Sequence, residues 1–233
     1  MILYDMHVHT KGISKCSLLS PEQLCDALKN EGTGGFVLTN HYGKRHCDMD
    51  FPLWLEKYRD EFYRVKEIAA KRGLRALFGI EVTLGSQDFL LSGVTPDSLF
   101  HSGSRPLWAF SLKELSDFAH SEGGLLIHAH PFRHKGTPAD YTLLDGVEIN
   151  CHPLYHNNWR EEARQYADAH GLILTCGSDY HGDIYKAHCG VYLPERLQTE
   201  TELGEYLRRG QPPLLLHDID IEKVLATQHN GLF

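Results

Sequence analysis

Apolar and polar residues alternate through Tyr4-Asp5-Met6-His7-Val8-His9. A period of two among β-forming residues predicts a strand, with Asp5, His7 and His9 on one face and Tyr4, Met6 and Val8 on the other. The period then changes. Ser20-Pro21-Glu22-Gln23 announces a helix: Ser20 is the N-cap, Pro21 takes the first helical position and Gln23 closes a capping box. Leu24, Ala27 and Leu28 give it an apolar face, and Gly32 ends it. Residues 35–39 form a short apolar run that leads into Asn40-His41, as a buried strand would. Leu55, Tyr58, Phe62, Val65 and Ala69 recur at helical spacing up to Gly73.

The same alternation continues. Residues 76–82 predict a third strand and 89–93 a short additional one. Ser111 with Glu114 caps a helix that ends at Gly123-Gly124. Strands follow at 125–130, 146–150 and 172–176, with a helix over about 157–170 before Gly171. A strand at 190–194, a short helix near 201–209 and a last strand or edge at 214–217 complete the pattern. Strands with apolar interiors that alternate with helices imply an α/β fold with a mostly parallel sheet. No linker or composition shift divides the chain, so one domain over 1–233 is expected.

The polar residues choose between an open sheet and a barrel. His7, His9, His41, Glu81, His128, His130, Asp179 and His181 fall at or near strand C-terminal ends. A barrel gathers such ends on one rim, whereas an open sheet gathers only those at its switch point. No GxGxxG follows the first strand, which weakens a dinucleotide-binding reading.

Composition narrows the function. The 233 residues carry a formal charge of −8, which argues against a nonspecific binder of long nucleic acid. No basic-then-apolar leader and no membrane-length apolar run are present, and the six scattered cysteines read as free thiols of a reducing cytoplasm. The unusual figure is 16 histidines without a His tract. Histidines with carboxylates and no paired cysteines favour Zn²⁺, Mn²⁺ or Fe²⁺ over Mg²⁺. His7, His9, Glu81 and Asp179 would satisfy one ion; His41, His130 and His181 remain for another, with Glu81 as the bridge. Two close cations activate a water and clamp a phosphoryl group.

Asp5-Met-His-Val-His-Thr10, Thr39-Asn-His41, Gly79-Ile-Glu81, Ala129-His-Pro-Phe-Arg133 and Gly177-Ser-Asp-Tyr-His181 resemble, in order, the motifs of the PHP (polymerase and histidinol phosphatase) domain. The resemblance covers about residues 1–195. It implies a distorted TIM-like barrel of about seven βα units, two or three divalent ions and, mostly, phosphoester hydrolysis. By motif matching it assigns His7, His9, His41, Glu81, His130, Asp179 and His181 as metal ligands. The chain departs from the pattern in three places. Cys16 is the one coordinating residue where a third-ion Asp or His is frequent. Asn40 replaces a frequent aspartate, and Gln87-Asp88 stands where some members have a histidine. Two tight ions and a weak or absent third are therefore expected.

Around these residues, His128 is an addition that should face as His130 does, either behind the substrate or in the core. Arg133 either holds a phosphate bidentately or makes an exposed salt bridge. His46, His101, His120, His134, His170, His217 and His229 read as surface residues, and Cys151-His-Pro-Leu-Tyr-His156 as a loop. The expected activity is hydrolysis of a small phosphorylated metabolite or nucleotide by metal-bound hydroxide, with His41 or His181 protonating the leaving group. The competing readings are an amidohydrolase-like C–N hydrolase and a non-catalytic metal-binding regulatory module.

Overall fold

The computed structural model describes residues 1–133, 136–152, 159–182 and 188–216. Ten strands form one sheet, ordered β10-β9-β1-β2-β4-β5-β6-β7-β8, with the short β3 paired to β4 off this path. The strands are β1 (Ile2–Val8), β2 (Gly35–Leu38), β3 (His41–Tyr42), β4 (Arg75–Leu84), β5 (Gln87–Ser92), β6 (Leu125–His128), β7 (Gly146–Asn150), β8 (Ile173–Gly177), β9 (Gly190–Leu193) and β10 (Leu214–Leu215). The helices are α1 (Pro21–Asn30), α2 (Phe51–Lys71), α3 (Ser98–His101), α4 (Leu112–Ser121), α5 (Arg160–His170) and α6 (Glu200–Arg208).

The predicted caps are present. Ser20 with Gln23 and Ser111 with Glu114 both form complete capping boxes, so each helix begins where a side chain satisfies its free N–H groups. α2 buries Trp54, Leu55, Tyr58, Phe62, Val65 and Ala69 along one stripe, against Phe36, Phe78 and the rest of the main core. α5 stops at Gly171, whose φ of 67° is the left-handed conformation that closes a helix.

β1, β2, β4, β6, β7 and β8 run parallel, as the alternation predicts. The parallel pattern breaks at β5, which is antiparallel to both β4 and β6. The reason is the short connection: Gly85-Ser86 joins β4 to β5 as a hairpin, too short for a parallel crossover. β9 adds antiparallel beside β1, and β10 adds antiparallel beside β9.

The sheet curls until its two ends meet. The Asp179 N–H donates to the His7 carbonyl at 2.9 Å, and Val8 bridges Tyr180 in parallel register. The result is a nearly closed α/β barrel, distorted because β9 takes the lower half of β1 while the segment after β8 takes the upper. Closure requires Gly177. A Cβ there would lie 2.3 Å from His7 Cβ, so no larger residue lets β8 approach β1.

Two boundaries differ from expectation. β6 ends at His128, not at residue 130, because His130 leaves the strand with a φ of 32°. α5 begins at Arg160, and residues 157 and 158 of the predicted helix lie outside the described residues. Among the described residues, no helix is long and apolar enough to cross a membrane.

Candidate metal centre

The upper barrel rim brings together residues from five places in the chain. β1 supplies His7 and, one residue past its end, His9. β3 supplies His41, and β4 supplies Glu81. The turn after β6 supplies His130, and the turn after β8 supplies Asp179 and His181. Glu81 sits at the middle and is fully buried. His7 Nε2 and His130 Nε2 lie 3.3 and 3.4 Å from its Oε1; His41 Nδ1 and His9 Nε2 lie 2.5 and 3.5 Å from its Oε2. Asp179 closes the other side, with Oδ1 3.2 Å from His9 Nε2 and 3.5 Å from His7 Nε2. All seven residues that the motifs single out therefore converge.

The tautomers are set from behind. The His7 Nδ1–H donates to Glu148 Oε1 at 2.8 Å, and the His9 Nδ1–H donates to Ser14 Oγ at 3.2 Å. The His181 Nδ1–H donates to the Asp179 carbonyl at 2.9 Å. An imidazole that donates through Nδ1 presents the lone pair of Nε2, and outer partners of this kind orient metal-binding histidines. His7 Nε2, His9 Nε2, His41 Nδ1 and both Glu81 oxygens are buried with no hydrogen-bond partner. Orphaned buried polar atoms cost about 1–3 kcal/mol each. Orphaned donor atoms of this kind gathered around Glu81 fit bound cations, which would draw ligands from among them.

At this rim lie the donor groups His7-His9-Asp179, Glu81-Asp88-His130 and His9-His41-His181, each with its ligand atoms within 4.8 Å of one another. A fourth group, Cys16-His41-His46, adjoins the last. Glu81 reaches the first and third groups as well as its own, as a bridging carboxylate would.

The electrostatics match a cation site. Burial works against charge on Glu81, but His41 and His7 outweigh it and hold the carboxyl well below its usual range. Burial likewise opposes charge on Asp179, and His7 and Arg133 overcome it. His9, by contrast, is held well below the histidine range by burial, and by His181 and His41 beside it. Burial pushes the Cys16 thiol up, yet its hydrogen bonds to His181 and His41 bring it down to about 6.

Backbone strain marks the same rim. Besides Trp159, the residues other than glycine with positive φ among the described residues are His130 at 32° and Asp179 at 52°. Such conformations cost of order 1–3 kcal/mol and persist where surrounding contacts hold them. Here the His130 N–H donates to Glu148 Oε2 and the Asp179 N–H to the His7 carbonyl.

Several residues carry roles that their sequence context did not reveal. Glu148 ties His7, the His130 N–H and Asn150 Nδ2 together. A signal existed: Glu148 and Asn150 are i, i+2 polar residues on one face of an otherwise apolar strand. Asn40 pins the loop after β1, accepting from the Thr10 N–H at 2.8 Å and from Ser14 Oγ at 2.9 Å. Asp5 does not face the ions. It accepts from the Ser178 N–H and Oγ–H, and so locks the turn that carries Asp179.

Two histidines differ from expectation. His46 is 3% exposed, not a surface residue; its ring stacks on His41 at 4.6 Å, and its Nδ1 accepts from the Lys15 N–H. His128 does not face as His130 does, because the strand ends between them. It stacks on Phe89, and its Nδ1 accepts from the Ala139 N–H at 3.1 Å. His134, His156, His217 and His229 lie outside the described residues.

Arg133 lies on the rim, its Nη2 2.5 Å from Asp179 Oδ2. Beside it opens a cavity of about 610 Å³ lined by Arg45, Gln87, Asp88, His130 and Arg133 among others. A larger cavity, about 1040 Å³, opens by Leu125 and Ile173, where β6 and β8 begin. It contains none of the converging ligands, whereas the smaller one reaches the cluster at His130 and Asp88.

No protein-family model matches the chain, and no curated protein matches it in sequence. Solved structures match its fold. PsfC from Pseudomonas syringae aligns over 100% of this chain and 99% of its own, with a TM-score of 0.63 at 17% identity. An amidohydrolase from Chromobacterium violaceum, solved with sulfate and without metal, aligns over 94% and 99%, with a TM-score of 0.57 at 16% identity. A candidate metal-dependent phosphoesterase from Bifidobacterium adolescentis aligns over 89% and 96%, with a TM-score of 0.54 at 19% identity.

Proposed function

We propose that the chain is a metal-dependent phosphoesterase of the PHP type acting on a small phosphorylated metabolite or nucleotide. The observation that carries this reading is the tautomer arrangement. His7, His9 and His181 are each fixed through Nδ1, which leaves the Nε2 lone pairs of His7 and His9 turned toward Glu81 and Asp179 and that of His181 turned toward His41. The names of two fold neighbours, a candidate phosphoesterase and an amidohydrolase, agree with a hydrolase.

Divalent ions held by these residues would supply Lewis-acid chemistry, polarising phosphoryl oxygens and acidifying a water. The protein's own groups complete the site. Arg133 is the cation beside the ligand cluster that can pair with a phosphoryl oxygen in exchange for Asp179. Glu81 and Asp179 keep the centre anionic, so it holds cations without a counter-ion from solvent. His181 or His41, where not tied to an ion, would give a proton to a departing alkoxide. The 610 Å³ cavity suits a small metabolite and not a polymer.

The test is a panel of phosphomonoesters, phosphodiesters and amides, assayed with Mn²⁺ or Zn²⁺. Phosphate release that disappears with a chelator is expected. Turnover of amides alone would favour the C–N hydrolase, and metal loading without turnover of any class would favour the regulatory module.

A further inference from the structure

The two ends of the centre are chemically unlike. At one end, the Cys16 thiol lies with His41 and His46 in a group whose ligand atoms are within 4.8 Å of one another, and His46 stacks on His41. His181 donates through Nδ1, so its Nε2 carries a lone pair. That lone pair meets His41 Nε2 at 3.4 Å. Two imidazole nitrogens that face each other need a cation or a shared proton between them. A tetrahedral ion with Zn–N bonds of about 2.0–2.1 Å spans nitrogens about 3.3–3.4 Å apart. The spacing therefore fits a zinc-sized ion, and the sulfur beside it is a soft ligand. His46 uses its Nδ1 lone pair on the Lys15 N–H, so it supports His41 and does not itself coordinate.

At the other end, Glu81, Asp88 and His130 offer two carboxylates and one imidazole. Asp88 is held by the Thr83 hydroxyl, which donates to its Oδ1 at 2.7 Å, while Oδ2 faces His130 Nε2 at 3.9 Å. Carboxylate oxygens favour harder ions such as Mn²⁺, whereas thiolate favours Zn²⁺.

We propose that the centre sorts ions by hardness, taking a thiophilic ion such as Zn²⁺ at the Cys16-His41-His181 end and a harder ion such as Mn²⁺ at the Glu81-Asp88-His130 end. This rests on the metal-centre reading above, but not on the identity of the substrate. It also departs from the expectation that Cys16 weakens an ion there: the sulfur changes which ion is held.

The experiment uses the full chain, stripped with a chelator and dialysed against equal Zn²⁺ and Mn²⁺. Anomalous diffraction at each metal's absorption edge should place zinc beside Cys16 and manganese beside Asp88. In solution, Co²⁺ alone should give a sulfur-to-cobalt charge-transfer band that Cys16→Ser abolishes. That variant should lose zinc at least roughly tenfold more readily, since even outer-partner mutations cost 10–100-fold, with an unchanged circular dichroism spectrum because Cys16 is exposed. Asp88→Asn should instead weaken the manganese position. Zinc at both ends in equal occupancy, or a cobalt complex without the sulfur band, would overturn the proposal. None of these readouts uses turnover. A failure here leaves the hydrolase reading standing, and a failed substrate panel leaves the sorting intact.

Discussion

His7 and Glu148 lie on strands 141 residues apart in sequence, yet the imidazole Nδ1 meets the carboxylate at 2.8 Å with both side chains fully buried. Burial alone would strip the proton from His7. Glu148, Asp179 and Glu81 together outweigh it and hold the imidazole well above its ordinary range. Glu148 thus sets the orientation of His7, and the same field of carboxylates attracts a cation to the Nε2 side.

Glu148→Gln should leave the chain folded and weaken metal binding by roughly 10–100-fold. Its amide can still accept from the His7 Nδ1–H, but without charge. Competition with a chromophoric chelator measures the change, and an unaltered affinity would remove Glu148 from the metal's support.

Asp5→Ala should destabilise the protein itself. The lost carboxylate leaves the His7 and Ser178 N–H groups and the Ser178 hydroxyl buried without their acceptor. A cost of about 3 kcal/mol is expected, read as a shift of the urea midpoint in metal-free protein. A shift within error of zero would mean that the turn holds without Asp5.

Stability should fall with acid in a way that His128 reports. Burial, with His130 adding to it, lowers the His128 imidazole to about 3, whereas the unfolded residue titrates near about 6.5. As pH drops, the unfolded chain takes the proton first. The stability present above about 6.5 is therefore lost progressively toward 3, at up to about 1.4 kcal/mol per pH unit. His128→Asn keeps an acceptor for the Ala139 N–H and removes the titration. Its urea midpoint should depend less on pH between about 6.5 and 4.5; an identical dependence in both proteins would place the acid sensitivity elsewhere.

Much of this was legible in the chain. The helix starts at Ser20 and Ser111 follow from local capping chemistry, and the ligand strands follow from their periodicity. What local pattern could not carry was orientation. The i, i+2 rule aligned His128 with His130, but it holds only inside a strand, and His130 turns out at a φ of 32°. Likewise His46 sits in a polar stretch that reads as surface; its burial comes from stacking on His41, a contact made by folding. Glu148 was hidden because a lone acid in a strand acquires meaning only from its partners, His7 on one strand and the His130 N–H beyond another. The reversal at β5 was hidden because a strand's direction depends on its connection, not on its own pattern.

Glu81 is the hinge of the whole reading, because it reaches His7, His9, His41 and His130 at once. The decisive measurement is metal stoichiometry in wild-type protein and in Glu81→Gln, after stripping and reloading with Mn²⁺ or Zn²⁺, with circular dichroism as the control for folding. The wild type should retain at least about two ions, and the folded variant should fail to retain a pair. Equal metal content in the two proteins, both folded, would contradict a centre built around Glu81.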